Sequence, residues 1–143
     1  MPYATLAILT ARYGTAALIA QTDRAVVPTG AIDSAVVARA LADADAVIDG
    51  YVGKKFNLPL SVTSPLLEDL AAKIAFWNLH VTMPDEKVKL DYQEALRQLR
   101  EIAAGTIGIP GATGTEPEGT GSSGAAFTDR DRPFDPDKMT GFI

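Results

Sequence analysis

The chain has 143 residues and a net charge of −5, with one histidine and no cysteine. That length supports a single domain with a core of its own. The missing cysteines exclude disulfides, thiolate metal sites and a cysteine nucleophile. Charge is spread without a basic footprint of the kind that grips DNA phosphates: residues 1–104 carry 12 acids and 10 bases, and residues 105–143 carry 6 acids and 3 bases.

The N-terminal stretch "MPYATLAILTARYG" is apolar but has no basic leader and is interrupted by Arg12. A signal peptide is not expected, and the protein is expected to be made and used in a cytoplasm. No run of 18 apolar residues exists, so no membrane-spanning helix is predicted.

Within that stretch Thr5 can cap a short helix, "LAILTARY", that Gly14 stops. A second short helix, "TAALIAQ", comes next, and "TDRAVVPTGA" reads as a turn region built on Pro28 and Gly30. The third helix is the best marked. Asp33 is its N-cap, with Ile32 and Val37 placed as a hydrophobic staple. Val37, Leu41, Ala44, Ile48 and Tyr51 recur at steps of 4, 3, 4 and 3, one apolar stripe. Gly53 suits the stop, with Lys54 and Lys55 at the negative end of the helix dipole.

A loop, "NLPLSVT", leads to a fourth helix with Ser64 as N-cap, Pro65 in its first position, and Glu68 and Asp69 near its positive end. Leu67, Leu70, Ile74, Trp77 and Val81 form its stripe. The fifth helix is predicted to begin near Thr82, with Thr82 to Asp85 as a capping-box start. Val88, Tyr92, Ala95, Leu96, Leu99, Ile102 and Ala103 line its inner face, and Gly105 ends it.

The expected fold is therefore all-α: an antiparallel helical bundle over residues 1–104, with three long and two short helices. Its many alanines allow close helix approach but leave a thin core, which suggests stability gained from a partner or an oligomer. Residues 105–126, rich in Gly, Thr and Ser, bury too little to order themselves and read as a linker. Residues 127–143 regain apolar side chains and read as a docking segment that a neighbour holds. Its anchors are Phe127, Phe134, Met139, Phe142 and Ile143, with Arg130 and Arg132 between them.

No catalytic, metal or cofactor set is expected. Asp45 and Asp49 share a helical face, but Asp43 lies about 160° from Asp45, so the three do not converge. They read as a solvated face or as a subunit or channel surface. His80 has no metal-ligating company and sits where a cation suits the helix end. The serines have no nearby histidine, and the glycines lack the Gly-Lys-Ser/Thr of a phosphate loop. Lys54 and Lys55 read as a solvated helix end, or as a contact with an acidic partner surface or passing nucleic acid. Phe76 falls off the core stripe and reads as a candidate interface residue.

Several stretches carry a family resemblance: "YATLAILTARYG", "QTDR", "AIDSAVVARALADADAVIDGYVGKKFNLPL", "PLLEDLAAKIAFWNLH", "YQEALRQLREIAAGTIGI" and "DKMTGF". Together they resemble the head-completion proteins of Mu-like phages and prophages, also called neck or head–tail adaptor proteins. The block ending in Asp-Gly-Tyr and then Leu-Pro-Leu is the most specific. The resemblance implies a structural protein of the virion neck. It implies a ring, typically of twelve copies, below the portal, extending the DNA channel without reading DNA sequence. It implies contact with a tail-side neck or tail-terminator protein, and a C-terminal segment that docks on the portal. Assembly would take place in the bacterial host cytoplasm, with no membrane partner. A competing reading is a small helical binding or regulatory module that uses its C-terminal tail as a recognition peptide.

Overall fold

The structure is a computed structural model that describes residues 2–112 and 114. It is all-helical over that range: α1 (Leu6–Tyr13), α2 (Thr15–Thr22), α3 (Ser34–Val52), α4 (Pro65–Leu79) and α5 (Glu86–Ala104). The two short and three long helices match the expected order.

Local chemistry sets most of the boundaries. Thr5 Oγ1 accepts the Ile8 N–H at the start of α1, and Gly14, at φ +85°, ends it. The hydroxyl of Thr22, fully buried, donates to the Leu18 carbonyl and accepts the Asp33 N–H at 3.2 Å. It thereby ties the end of α2 to the start of α3 with both its roles used. Asp33 Oδ1 accepts the N–H groups of Ala35 and Val36, the expected cap.

Two boundaries differ from expectation. Gly53 is helical (φ −61°, ψ −13°), not left-handed. Glycine is required there by proximity: a Cβ would lie 2.8 Å from the Asp49 carbonyl oxygen and 3.1 Å from Leu58 Cδ1. The start of α5 falls at Glu86, four residues after the expected Thr82, with Asp85 as a cap that makes no side-chain bond. Pro84 pushes Met83 into extended backbone, which rules out a helix running through it. At the other end, Gly105 is left-handed (φ +81°, ψ 11°). Its N–H bonds to the Ile102 carbonyl and the Thr106 N–H to that of Glu101, a Schellman ending.

The core is centred on α4. Leu67, Leu70, Ala71, Ala72, Ile74, Ala75, Phe76 and Leu79 are all buried, so α4 is apolar nearly all the way round and sits inside the bundle. On α3 the buried set is Val37, Ala40, Ala44, Ile48 and Val52, with Leu41 and Tyr51 half-buried at its edge. On α5 only Ala95, Leu99 and Ile102 are wholly buried; Val88, Tyr92, Leu96 and Ala103 flank them. Trp77 stacks on Tyr92 at 4.6 Å, so the end of α4 lies beside the start of α5 and the two run antiparallel. Val81, expected on the α4 stripe, is 71% exposed, because the helix has already ended at Leu79.

Packing continues past Ala104. Ile109 is buried and Ile107 half-buried against the core, and Phe56 forms an isolated antiparallel bridge with Gly114. The first residues of the Gly/Thr-rich stretch therefore lie on the bundle, because two isoleucines supply the burial that the rest of it lacks. Lys55, just past α3, lies against Gly105, just past α5, so the C-terminal ends of these two helices are side by side.

Candidate functional site

The bundle has two chemically different ends. The first gathers the end of α2, the start of α3, the end of α4 and the start of α5. Here Arg24 donates to the Leu79 carbonyl at 3.1 Å, joining the loop after α2 to the end of α4. Asp23 Oδ2 accepts the N–H groups of Thr29 and Gly30, which folds that loop back on itself and holds the Asp23 carboxyl below its usual range. The folded loop carries Val26 and Val27, 103% and 76% exposed, and the neighbouring connection carries Val81 and Met83, 71% and 96% exposed. Four exposed apolar side chains thus stand on two loops that the Arg24 bond joins. Reading by helical phase missed this, since it assigned Val81 to the core and treated the loops as connections. The one legible signal was the Val-Val pair inside a Pro/Gly turn region.

At the second end α3 and α5 finish, the loop to α4 turns, and the C-terminal segment leaves. Asp45 and Asp49 act near it, and not as a bare solvated face. Asp45 Oδ1 accepts the Tyr3 N–H at 3.1 Å, and Asp49 Oδ1 accepts the Tyr3 hydroxyl at 2.5 Å. The shared helical face expected for these two carboxylates is real, and it clasps the N-terminal segment. Asp43 stands apart and exposed. Burial, and then the bond to Asp49, hold the Tyr3 phenol well above its usual pKa. Tyr3→Phe keeps the ring and loses the bond to Asp49. It is expected to lower stability by about 1 kcal/mol, measured as a shift in the urea midpoint.

Burial also raises the Asp45 pKa, against the opposing effect of the Tyr3 N–H. A raised folded-state value means the stability linked to this group is full below the unfolded carboxylate pKa and is lost as pH rises through the folded one. Asp45→Asn stays neutral and keeps an oxygen for Tyr3. It is expected to raise Tm at pH 7 by about 1–2 °C and to leave it unchanged near about pH 3. A drop at pH 7 with no change near about pH 3 would show instead that the charge itself holds Tyr3.

Between the N-terminal segment, the Leu58–Ser64 loop and the start of α4 lies a cleft of about 340 Å³. Leu58, Pro59, Leu60 and Val62 line one side, and Asp49 and Glu68 bring carboxylates to it. Lys54 and Lys55 are exposed at this same end of the bundle. Lys54 Nζ lies 5.8 Å from the centroid of the Tyr51 ring, and the Lys55 chain packs against Gly105 at the end of α5. Phe76, expected at an interface, is in the core instead: it is 8% exposed and stacks on Tyr13 with 3.8 Å between centroids. It fell off the α4 stripe because α1 covers a second face of that helix. His80 caps α4, with Nδ1 2.8 Å from the Phe76 carbonyl oxygen and its ring edge-on to Phe76. Phe127, Arg130, Arg132, Phe134, Met139, Phe142 and Ile143 lie outside the described residues.

Among the described residues no group of three or more His, Asp or Glu side chains could hold a metal ion, and no helix is long and apolar enough to cross a membrane. The arrangement leaves exposed apolar side chains at one end and an acid-lined cleft at the other.

Comparison with known proteins bears on what those surfaces serve. The family described as "Bacteriophage Mu, Gp36" matches residues 3–127, which includes all five helices. "Gene product J" of Escherichia phage Mu is 37% identical over 121 residues, covering 83% of this chain and 85% of that protein. "Mu-like prophage FluMu protein gp36" of Haemophilus influenzae is 33% identical over 78 residues, covering 54% and 55% respectively. With the match running from the Tyr3 clasp through the bundle and into the C-terminal segment, this chain belongs to the Mu-like phage protein family described as Bacteriophage Mu, Gp36.

Proposed function

We propose that the protein is a structural adaptor of the phage neck. Copies assemble into a ring, with twelve as the expected number, below the portal. The ring extends the DNA channel and joins the capsid to a tail-side neck or tail-terminator protein. The C-terminal segment, with Phe127, Arg130, Arg132, Phe134, Met139, Phe142 and Ile143 as anchors, docks on the portal.

One observation carries this reading beyond family membership: the two contact features sit at opposite ends of the bundle. The apolar loop tips of Val26, Val27, Val81 and Met83 lie at one end, and the C-terminal segment departs from the other. The 19 residues of α5 separate the two ends by roughly 28 Å. A joint between two neighbours needs that polarity, whereas a module that only captures one partner does not. The negative balance of the chain suits a channel through which DNA slides without sticking.

Co-expression with the portal protein of the same phage, with affinity capture and electron microscopy, tests this. The expected result is co-purification and a ring of copies on the portal. A monomer that never captures the portal, and whose tail binds a protein outside the virion, would establish the recognition-module reading instead.

A further inference from the structure

The cleft beside Asp49 has one apolar side and one acidic side, and its acidic side is incomplete. Glu68 is half-buried on the first turn of α4, and among the described residues no hydrogen bond or ion pair engages its carboxylate. A carboxylate held part-way out of water beside Leu58, Pro59 and Val62 is a receptor for a cation that arrives with apolar surface. The volume, about 340 Å³, suits a few side chains of one short segment, not a protein face.

The chain itself supplies that chemistry, and supplies it nearby. Val62 lines the cleft, and its Cγ1 lies 3.2 Å from where a Cβ on Gly111 would stand; Phe56, before the same loop, bridges to Gly114. The polypeptide therefore leaves the bundle at the wall of the cleft. The next twelve residues, 115–126, span up to roughly 40 Å when extended. A tether of that length holds residues 127–143 at about millimolar effective concentration.

Just beyond this tether the chain reads Asp129-Arg130-Asp131-Arg132-Pro133-Phe134. The net charge of these six residues is zero, so whole-segment attraction does not account for docking. Side chains of an extended peptide alternate between two faces. Arg130, Arg132 and Phe134 then share one face and Asp129 and Asp131 the other, and Pro133 favours extended backbone at Arg132. The spacing sorts two cations and one aromatic ring onto a single side.

We propose that the cleft is a docking site for an extended segment presenting two arginines and an aromatic ring. Its occupant is the Arg130–Arg132–Phe134 face of the same chain. The arginines meet Glu68 and Asp49, and Phe134 packs on the Leu58–Val62 side. This is the resting position of the segment in the free protein, and the proposed portal contact competes for the same three side chains. The docking does not depend on the adaptor reading: loss of portal capture with docking intact would overturn only the latter.

The test uses the full chain with a photo-reactive benzoylphenylalanine in place of Phe134. After irradiation at low micromolar concentration, cross-links are mapped by peptide mass analysis. They are expected within one chain, at Leu58–Glu68 or Pro2–Tyr3. Glu68→Lys should lower the yield about fivefold, and adding a single reversal, Arg130→Glu or Arg132→Glu, should restore it for the arginine that meets Glu68. Circular dichroism checks that the variants keep their helices, and Glu68→Gln serves if the lysine variant does not. Cross-links elsewhere in the chain, or a yield indifferent to position 68, would overturn the proposal. So would cross-links found only between differently isotope-labelled copies, which would make a second copy the occupant.

Discussion

Replacing Phe76 with alanine is expected to lower the unfolding free energy by about 3–4 kcal/mol, read from the urea midpoint at constant slope. The ring is 8% exposed, lies face to face with Tyr13 at an interplanar angle of 6°, and receives the edge of His80 at 4.9 Å. Truncation removes its burial, leaves a void between α1 and α4, and strips Tyr13 of its stack. Phe76→Leu refills much of that volume and should cost about 1–1.5 kcal/mol. The experiment separates two roles for this residue. A midpoint that does not move, together with a lost association, would return Phe76 to an interface. A large loss of stability in the isolated chain assigns it to the core that joins the short helices to the long ones.

Enlarging a central alanine should also be costly. Ala71, Ala72 and Ala75 on α4 are each wholly buried, since the helix is covered nearly all round. Their small size is what lets the neighbouring helices approach. Ala75→Leu is expected to destabilise by about 1–3 kcal/mol, because the added carbons force displaced rotamers or shifted helices. For a domain of this size that is a fall in Tm of roughly 4–12 °C, measurable by thermal unfolding. A higher Tm would mean instead that the alanine-lined interior has slack to fill, and that the core is underpacked in the isolated chain.

The two candidate surfaces differ in how legible they were. The shared face of Asp45 and Asp49 followed from their spacing of four, one helical turn. Nothing local indicated that Tyr3, more than 40 positions away, would bond to both. The exposed Val26, Val27, Val81 and Met83 stand on two loops that are joined where Arg24 reaches the Leu79 carbonyl. Apolar residues in connections have no periodicity to read. Glu68 looked like a charge placed for the helix dipole; its position at the edge of a cleft depends on how the Leu58–Ser64 loop folds against α4.

By itself the sequence determined what short-range chemistry controls. Caps and glycines set most helix boundaries, as at Thr5, Gly14, Asp33 and Gly105. Apolar periodicity set the number of long helices and the inward face of α3 and α5. Only the tertiary structure decided what depends on which elements meet. It placed α4 in the middle, so that Phe76, off any single stripe, is buried from a second side. It exposed Val81 by ending α4 at Leu79, and it seated Ile109 on the core beyond the apparent end of the domain. One stripe describes one partner, and a helix with several partners buries several faces. That count of neighbours is a property of the packed chain and is written in no local window of it.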